Sequence, residues 1–332
     1  MGNEKRIFVI GELDPKRGIT SLTEELIGGA RNLADSFEGG VDLMVITSGN
    51  ESLPWKEICR GTDRVYVISN PNVTVFETET VTGIAAELCG KSHPVLFLLG
   101  QTELGRDVAP RLATRIDAGL CMDCTEVKYE SAQDCFVQTR PVYGGKAMAV
   151  FGSTFGKPQV NTIRPKSMPT LASDDKHSGE IIVVSDEVII QDKVRLIHCE
   201  KSRQEGIRLE EAKVIVAGGG GLGGVKGFEI IGDLARVMNA AVGATRVPVD
   251  EKWVEHHMEI GQTGKIVSPD LYVAVGISGA TQHITGILGS GKIVAINKDP
   301  DANIFRVADY GLVADYKEAI PALINKLSGL RC

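Results

Sequence analysis

The chain has 332 residues, of which 43% are hydrophobic and 24% charged, and its formal net charge is −7. This acidic balance argues against a nucleic-acid or anionic-membrane surface, and no apolar run approaches the roughly 18–20 residues that cross a bilayer. The first residues run directly into a strand pattern, which leaves no room for a signal peptide. Seven scattered cysteines, an odd number, indicate a reducing compartment. We therefore expect a cytoplasmic protein without membrane insertion.

The first part of the sequence alternates strands and helices. Apolar, β-branched runs predict strands at residues 6–10, 41–47, 65–69 and 95–99. Helical spacing of apolar residues predicts one helix that begins near Thr20, a short helix before the third strand, and helices at 77–88 and 105–116. This alternation is typical of a parallel α/β layer.

The pattern changes after Leu120. Short strand-like runs follow without helices between them, at residues 126–129, 135–140, 147–151 and 159–164. They predict an antiparallel extension of the first domain. Further expected features are strands at 180–185 and 194–199 and a surface loop at 165–179. In this region Cys121 and Cys124 form a C-x-x-C pair that we interpret as buried or partly exposed thiols, because a second ligand pair for a metal is not evident.

A polar stretch at 200–211 is interpreted as a linker. It divides the chain into an N-terminal α/β domain at 1–205 and a C-terminal parallel-sheet, Rossmann-like domain at 206–332. Strands of the second domain are predicted at 214–217, 245–249, 271–276, 292–297 and 312–314. Its helices are predicted from Val225 onward, at 251–258 and at 318–327.

A dense glycine run follows the first strand of the second domain. Six of the seven residues from Gly218 to Gly224 are glycine, and a helical pattern starts directly after them. Bare backbone N–H groups and the partial positive charge of a helix start suit a phosphate. Gly219, Gly221 and Gly224 also satisfy the G-x-G-x-x-G pattern of dinucleotide sites. The alternative is a tightly packed turn without a ligand.

Three more polar loops follow strands of this domain, at 261–265, 276–283 and 297–299. Ligands of parallel sheets bind beyond the carboxyl ends of the strands, so several such loops predict an extended ligand with phosphates, a ribose and a polar ring. Each side chain also has a structural interpretation: Ser278 and Thr281 as helix caps, Asn297 and Asp299 as turn residues, His283 as a core histidine, and Arg246 as a surface cation.

Several segments resemble the α subunit of electron-transfer flavoprotein. In the second domain they are AVGATR at 241–246, GQTGK at 261–265, AVGISGATQH at 274–283, VAINKDP at 294–300 and ADYGLVAD at 308–315. In the first domain they are LGRDVAPRLA at 104–113, TRP at 139–141 and the glycine pair at 144–145. The resemblance spans nearly the whole chain. It implies a heterodimer with a β subunit, which the first domain faces, and an FAD held by the second domain.

The resemblance also implies roles for single residues. Arg246 and Thr263 lie at the isoalloxazine, with Thr263 toward the reactive ring nitrogen, and His283, expected to be partly charged, lies near the pyrimidine edge. The phosphates and the ribityl chain are held by Thr245, Gln262 and the 278–282 loop, and the adenosine end lies at Asn297 and Asp315. The whole cofactor-binding set is Gly220, Thr245, Arg246, Gly261, Gln262, Thr263, Gly264, Ser278, Gly279, Ala280, Thr281, Gln282, His283, Asn297, Asp315 and Tyr316. Gly220 stands where family members commonly carry arginine.

Three functions are compatible with these residues. The first is an electron carrier between a flavin dehydrogenase, of the acyl-CoA dehydrogenase type, and another redox partner. Electron bifurcation by this carrier is an open alternative, because it depends on whether the β subunit holds FAD or AMP. The second is an NADP-dependent oxidoreductase in which Arg246 reads the 2′-phosphate. The third is a regulatory nucleotide-binding subunit. No acid/base pair is evident, which favours the carrier.

Overall fold

The computed structural model describes residues 5–14, 18–47, 53–69, 78–145, 147–152, 156–171, 178–184 and 207–329. The chain forms two compact units. The first comprises Met1–Pro141 and Met148–Cys199, and the second comprises Val142–Ala147 and Glu200–Cys332. The expected strand at 194–199 and the expected boundary at 205/206 lie outside the described residues.

A seven-stranded parallel sheet forms the first unit. In chain order the strands of this half are β1 (Arg6–Ile10), β2 (Gly40–Thr47), β3 (Arg64–Ser69), β4 (Leu96–Gly100), β5 (Gly119–Cys124), β6 (Glu126–Glu130), β7 (Cys135–Val142), β8 (Ala147–Gly152), β9 (Gln159–Ile163) and β10 (Glu180–Val184). The helices are α1 (Ser21–Asp35), α2 (Trp55–Ile58), α3 (Thr78–Ser92) and α4 (Glu103–Arg115). The strand order of the sheet is β10-β3-β2-β1-β4-β9-β5, and each neighbouring pair runs parallel.

Helices cover both faces of this sheet. Leu26 and Ile27 of α1 pack in a core on one face, and Ile84 of α3 and Leu112 of α4 pack in a core on the other. Because side chains of both faces are buried, the central strands are continuous apolar runs rather than alternating ones. The predicted parallel α/β layer is therefore confirmed.

The expected antiparallel extension is partly wrong. β6 pairs antiparallel with β7, and both form a three-stranded sheet with β8. Residues 159–163, however, form β9, which lies in the main sheet between β4 and β5. The antiparallel strands are therefore an insertion between two strands of the main sheet. β5 itself was not predicted, because Cys121, Met122 and Asp123 have little strand propensity and the pairing shifts register between Cys121 and Cys124. Both cysteines are buried, which is one of the two expected states.

Residues 165–171, expected in a surface loop, pack partly onto α1. The Met168 side chain is buried against the first core. A Cβ atom added at Gly28 would lie 2.4 Å from the carbonyl oxygen of Pro169, and one added at Gly29 would lie 2.3 Å from the sulfur of Met168. These two glycines of α1 make room for the segment, which sequence composition alone does not reveal.

A five-stranded parallel sheet forms the second unit. Its strands are β11 (Val214–Gly218), β12 (Ala241–Ala244), β13 (Leu271–Val275), β14 (Lys292–Asn297) and β15 (Tyr310–Val313). Its helices are α5 (Val225–Met238), α6 (Arg246–Asp250), α7 (Thr281–Thr285) and α8 (Tyr316–Gly329). The strand order is β12-β11-β13-β14-β15, and every neighbouring pair is parallel. The predicted parallel-sheet, Rossmann-like second domain is therefore confirmed.

The strand expected at 245–249 and the helix expected at 251–258 are wrong. β12 ends at Ala244, α6 follows it, and only a 3₁₀ turn, His256–Met258, lies in the second range. Val247 and Val249 favour a strand by propensity, but Pro248 falls in the first turn of α6, where a missing N–H costs nothing. β12 consists of small residues and carries little strand signal. Within the part of the chain that the structure describes, no helix is long and apolar enough to cross a membrane.

Candidate functional site

The strand order of the second sheet reverses its direction between β11 and β13. The chain leaves β11 toward β12 on one side and leaves β13 toward β14 on the other. At such a reversal the connections leave on opposite sides, and ligands of open α/β sheets bind beyond the carboxyl ends of the strands. The glycine run follows β11, and the 276–283 loop follows β13.

The glycine run divides into a packed part and an open part. Gly219 N–H donates to the Val275 carbonyl at 3.0 Å, and Gly221 N–H donates to the Gly276 carbonyl at 2.9 Å. A Cβ atom at Gly219 would lie 2.3 Å from the Gly276 oxygen, so this glycine is needed for close packing. Gly223 has φ +72° and nothing within 4 Å of its Cβ position. The interpretation as a packed turn therefore holds for Gly219 and Gly221, but not for the end of the run.

The start of α5 is open. Its N-terminal capping position is Gly224, which has no side chain to accept a hydrogen bond and nothing within 4 Å of its Cβ position. In the first unit, by contrast, Thr20 caps α1 and Thr102 caps α4 through their side-chain oxygens. The free N–H groups and the dipole of this 14-residue helix therefore face open space, which is the arrangement that binds a phosphate.

The loop 259–265 is held against the end of β12. Ile260 N–H donates to the Ala244 carbonyl at 2.9 Å, and Lys265 N–H donates to the Glu259 carbonyl at 2.8 Å. A Cβ atom at Gly264 would lie 2.4 Å from the Glu259 oxygen, so this position requires glycine. The loop is therefore a closed turn with a fixed backbone.

Two predicted residues stand on this turn. Gln262 and Thr263 are both exposed, and the Gln262 N–H donates to the Gln282 carbonyl at 2.9 Å, which ties the turn to α7. The Thr263 hydroxyl lies 2.6 Å from the carboxylate of Glu259. Glu259 is buried and was not among the predicted residues. Its one sequence signal is its place four residues before a threonine expected to contact a cofactor.

The 276–283 loop leaves most of its side chains free for a ligand. Ala280 is the capping position of α7 and makes no side-chain cap, so neither Ser278 nor Thr281 caps this helix. Gly279 has φ +83° and packs against the backbone of Ile304, 2.2 Å from its Cβ position. The exposed members of the loop are Ser278, Ala280, Thr281 and Gln282. The helix-cap interpretation of Ser278 and Thr281 is therefore wrong.

His283 is a buried histidine with protein partners on both ring nitrogens. Its Nδ1 lies 2.8 Å from the Ile260 carbonyl oxygen, and its Nε2 lies 3.0 Å from the Tyr272 hydroxyl. The carbonyl can only accept, so Nδ1 carries the proton and Nε2 accepts from Tyr272. Burial lowers the pKa of His283 to about 4, against the smaller opposing effect of the Ile260 carbonyl. The expectation of partial charge at neutral pH is therefore wrong.

The side chains of Asn297 and Asp315 both form hydrogen bonds with backbone groups around the site. The amide nitrogen of Asn297 donates to the Ile277 carbonyl at 2.9 Å, and its oxygen accepts from Asp299 N–H at 3.0 Å. This is the turn interpretation, extended across to the end of β13. Asp315 accepts from Lys317 N–H at 2.9 Å and so caps α8.

Arg246 is exposed at the edge of the site. Its side chain is 68% exposed and pairs with Asp250 one turn further along α6, at 3.2 Å. Thr245, before it, makes no side-chain cap, and its N–H donates to the Gly218 carbonyl at 3.0 Å. The end of β12 is thereby joined to the start of the glycine run.

Most of the sixteen predicted residues follow strands of the second sheet at their carboxyl ends. Asn297 is the last residue of β14, and the turn that carries residues 261–264 is bonded to the end of β12 through Ile260 and Ala244. A glycine-rich first turn, an open helix start and exposed polar side chains at the strand reversal define the class of Rossmann-like nucleotide-binding domains. The groups present fit an extended ligand with phosphates, since open backbone donors lie beside exposed hydroxyl and amide side chains.

Comparisons with known proteins identify the family. Residues 7–188 match the model of the electron transfer flavoprotein domain, and residues 208–288 match that of the electron transfer flavoprotein FAD-binding domain. The chain is 40% identical, over all of both chains, to the electron transfer flavoprotein subunit alpha of Thermoanaerobacterium thermosaccharolyticum. It is 37% identical over 98% of both chains to that of Megasphaera elsdenii. It is 36% identical to the Protein FixB of Clostridium saccharobutylicum, over 92% of this chain and 91% of the relative.

The chain therefore belongs to the electron-transfer flavoprotein α-subunit and FixB family. Its second domain is an FAD-binding domain, so the predicted cofactor is confirmed. The family also implies a β-subunit partner and redox partners.

Proposed function

We propose that this chain is the FAD-holding subunit of a heterodimeric electron carrier in the cytoplasm. The complex takes electrons from a flavin dehydrogenase of the acyl-CoA dehydrogenase type and passes them to another redox partner. The bound flavin supplies the redox chemistry, and this chain binds and orients it. The observation that carries the proposal is the carboxyl edge of the second sheet. At this edge lie the open start of α5 and the exposed side chains of Gln262, Thr263 and Thr281.

The first domain is proposed to face the β subunit. In support, β8 exposes most of its length, with Met148 at 52%, Val150 at 65% and Phe151 at 46% exposure. Contiguous exposed apolar side chains mark interaction surfaces in proteins. The chain without its partner should therefore be poorly behaved in solution, whereas co-expression with the β subunit should give a yellow heterodimer.

Flavin counting tests this function. The purified αβ complex is denatured, and the released FAD is quantified by absorbance per heterodimer. One FAD per heterodimer supports a simple carrier, and two FAD would add support for electron bifurcation through a second flavin in the β subunit. A flavin-free monomer that binds NADP tightly would contradict the proposal and favour the nicotinamide alternative.

A further inference from the structure

Glu259 is a buried carboxylate behind an exposed hydroxyl of the site. Its side chain is 5% exposed, whereas Thr263, four residues later, is exposed. Thr263 Oγ1 lies 2.6 Å from Glu259 Oε1, which is typical of a hydroxyl that donates to a carboxylate. The second carboxylate oxygen of Glu259 lies 3.7 Å from Nε2 of the exposed His256.

The backbone leaves this carboxylate little freedom. The residue after it, Ile260, is bonded to Ala244 at the end of β12, and the Glu259 carbonyl accepts from Lys265 N–H at 2.8 Å. A Cβ atom at Gly264 would lie 2.8 Å from Glu259 Cγ, so the turn packs directly on the glutamate side chain. The backbone of the turn and the Glu259 side chain are therefore held in place before any ligand binds.

The chemistry of the two groups determines which of them donates the hydrogen bond. A threonine hydroxyl has one proton to donate and two lone pairs, and a carboxylate can only accept. Because Thr263 gives its proton to Glu259, its lone pairs are what it offers to a ligand on the exposed side. In this state Thr263 can accept a hydrogen bond from a ligand but cannot donate one.

We propose that Glu259 is a positioning residue that makes Thr263 a hydrogen-bond acceptor toward the flavin ring. This inference rests on the proposed function and on the placement of Thr263 beside the reactive ring nitrogen. That nitrogen accepts hydrogen bonds in oxidised flavin and carries a proton in fully reduced flavin. An acceptor beside it therefore favours the reduced form, so Glu259 raises the reduction potential through Thr263.

The charge of Glu259 by itself acts in the opposite direction, because a negative charge near the ring disfavours added electrons. A double-mutant cycle separates the two effects. Glu259→Met removes charge and acceptor at similar length. Glu259→Asp keeps the charge but withdraws the carboxylate from Thr263. Each change is made with Thr263 present and with Thr263→Val, which keeps the shape of the side chain without its hydroxyl.

The αβ complex of each variant is titrated by spectroelectrochemistry, and its FAD content and thermal midpoint are measured in parallel. With Thr263 present, Glu259→Asp should shift the equilibrium about tenfold toward oxidised flavin, which is about 30 mV for a two-electron couple. With Thr263→Val, the same change should shift it less than about twofold. Glu259→Met should show the same tenfold difference between its two backgrounds. Thr263→Ser should restore the response, because it returns the hydroxyl.

Equal shifts in both backgrounds would mean that Glu259 acts by charge alone and would overturn the inference. A lower thermal midpoint with no difference between the backgrounds would make Glu259 a purely structural residue, and would overturn it as well. A wild-type complex that contains no FAD would contradict the proposed function itself, and this result is seen before any variant is compared. If Glu259→Met does not assemble, the Glu259→Asp pair decides the matter alone.

Discussion

The phenolic hydroxyl of Tyr316 donates to the carbonyl of Leu222 at 2.8 Å and so joins the first residue of α8 to the glycine run 94 residues earlier. A Cβ atom at Gly227 would lie 3.1 Å from the same hydroxyl, so the tyrosine also fills the space beside the first turn of α5. The resemblance places Tyr316 among the cofactor-binding residues. In the structure its hydroxyl bonds to the backbone of the glycine run.

Tyr316→Phe should weaken FAD retention without changing the fold. Loss of one part-buried hydrogen bond costs about 0.5–1.5 kcal/mol, because the Leu222 carbonyl loses its partner. This corresponds to roughly a two- to tenfold faster loss of flavin if the glycine run must be held to bind it. The measurement is FAD content after dialysis of the αβ complex. Tyr310→Phe, on an exposed edge strand, is the control. Equal FAD retention in both variants would show that the Tyr316 hydroxyl does not support cofactor binding.

Asn297→Ala should destabilise the second domain as well as weaken FAD retention. Its side chain makes two hydrogen bonds, to Ile277 and Asp299, and we expect a loss of about 1–3 kcal/mol. The reduction potential of the flavin that stays bound should not change. Thermal melting and potentiometry of the complex check this, with Asp301→Ala as an exposed control in the same turn. A large potential shift with FAD fully bound would contradict the expectation that Asn297 lies at the adenosine end.

Asp315→Ala should have a similar but smaller effect. It removes the side-chain acceptor for Lys317 N–H at the start of α8, and a lost N-terminal cap costs about 0.5–2 kcal/mol. Asp315→Asn keeps a capping oxygen and should restore most of the stability. If Asp315→Asn lowers FAD retention as much as Asp315→Ala, the carboxylate charge rather than the cap is what the cofactor needs.

Sequence reasoning predicted the parallel layers because their strands are buried on both faces and therefore form unbroken apolar runs. It failed at β5 and β12, whose cysteines, glycine and alanines carry little propensity, and at β9, whose place in the main sheet depends on pairing with strands distant in sequence. In the site, backbone-driven features such as the glycine run were predictable. Side-chain partners were not, because the bonds of His283 and Tyr316 join residues far apart in the chain.

Gly220→Arg should tighten FAD binding. Gly220 is exposed, and its nearest neighbour, a methyl carbon of Val247, lies 3.4 Å from its Cβ position, which is ordinary contact distance. An arginine therefore fits there without displacing backbone, and it can add a charge-assisted bond to a phosphate. Flavin release rates of the complex measure the effect, and Gly220→Gln, with similar length and no charge, is the control. Faster release from Gly220→Arg would show that the loop approaches another surface closely.

Arg246→Ala should lower the flavin reduction potential. A guanidinium near the ring favours added electrons, but this one is exposed and paired with Asp250, so solvent and the carboxylate reduce its effect. We expect a two- to tenfold change in the equilibrium, about 10–30 mV. Arg246→Lys should recover part of it, because the charge returns without the planar fork. Asp250→Asn should raise the potential, since it frees the guanidinium from its partner.

If the flavin reduction potential of Arg246→Ala is unchanged while flavin is still bound, Arg246 does not lie beside the flavin ring. The alternative role of Arg246 as a reader of a 2′-phosphate makes a different prediction, namely lost NADP affinity without an effect on flavin. Spectroelectrochemical titration and NADP binding, measured on the same preparation, therefore decide between the two.

His283 should make the second domain less stable as the pH falls below neutral. Its pKa is about 4 in the folded chain and about 6.5 when exposed. Above pH 6.5 the ring is neutral in both states, so its contribution is fully present. As the pH falls from 6.5 toward 4, the unfolded chain takes up a proton that the folded chain does not. The free energy of unfolding therefore decreases, by about 3 kcal/mol at the lower end.

His283→Asn should remove this pH dependence. Its side-chain amide can still donate to the Ile260 carbonyl, but it has no proton to bind in this range. The variant should be less stable than the wild type at pH 7, because Tyr272 loses its acceptor, and the difference should shrink toward pH 4.5. Thermal midpoints of the αβ complex across this range measure it. His93→Asn, an exposed position with φ +47° that asparagine tolerates, should keep the wild-type slope. A wild-type slope in His283→Asn would mean that another group titrates.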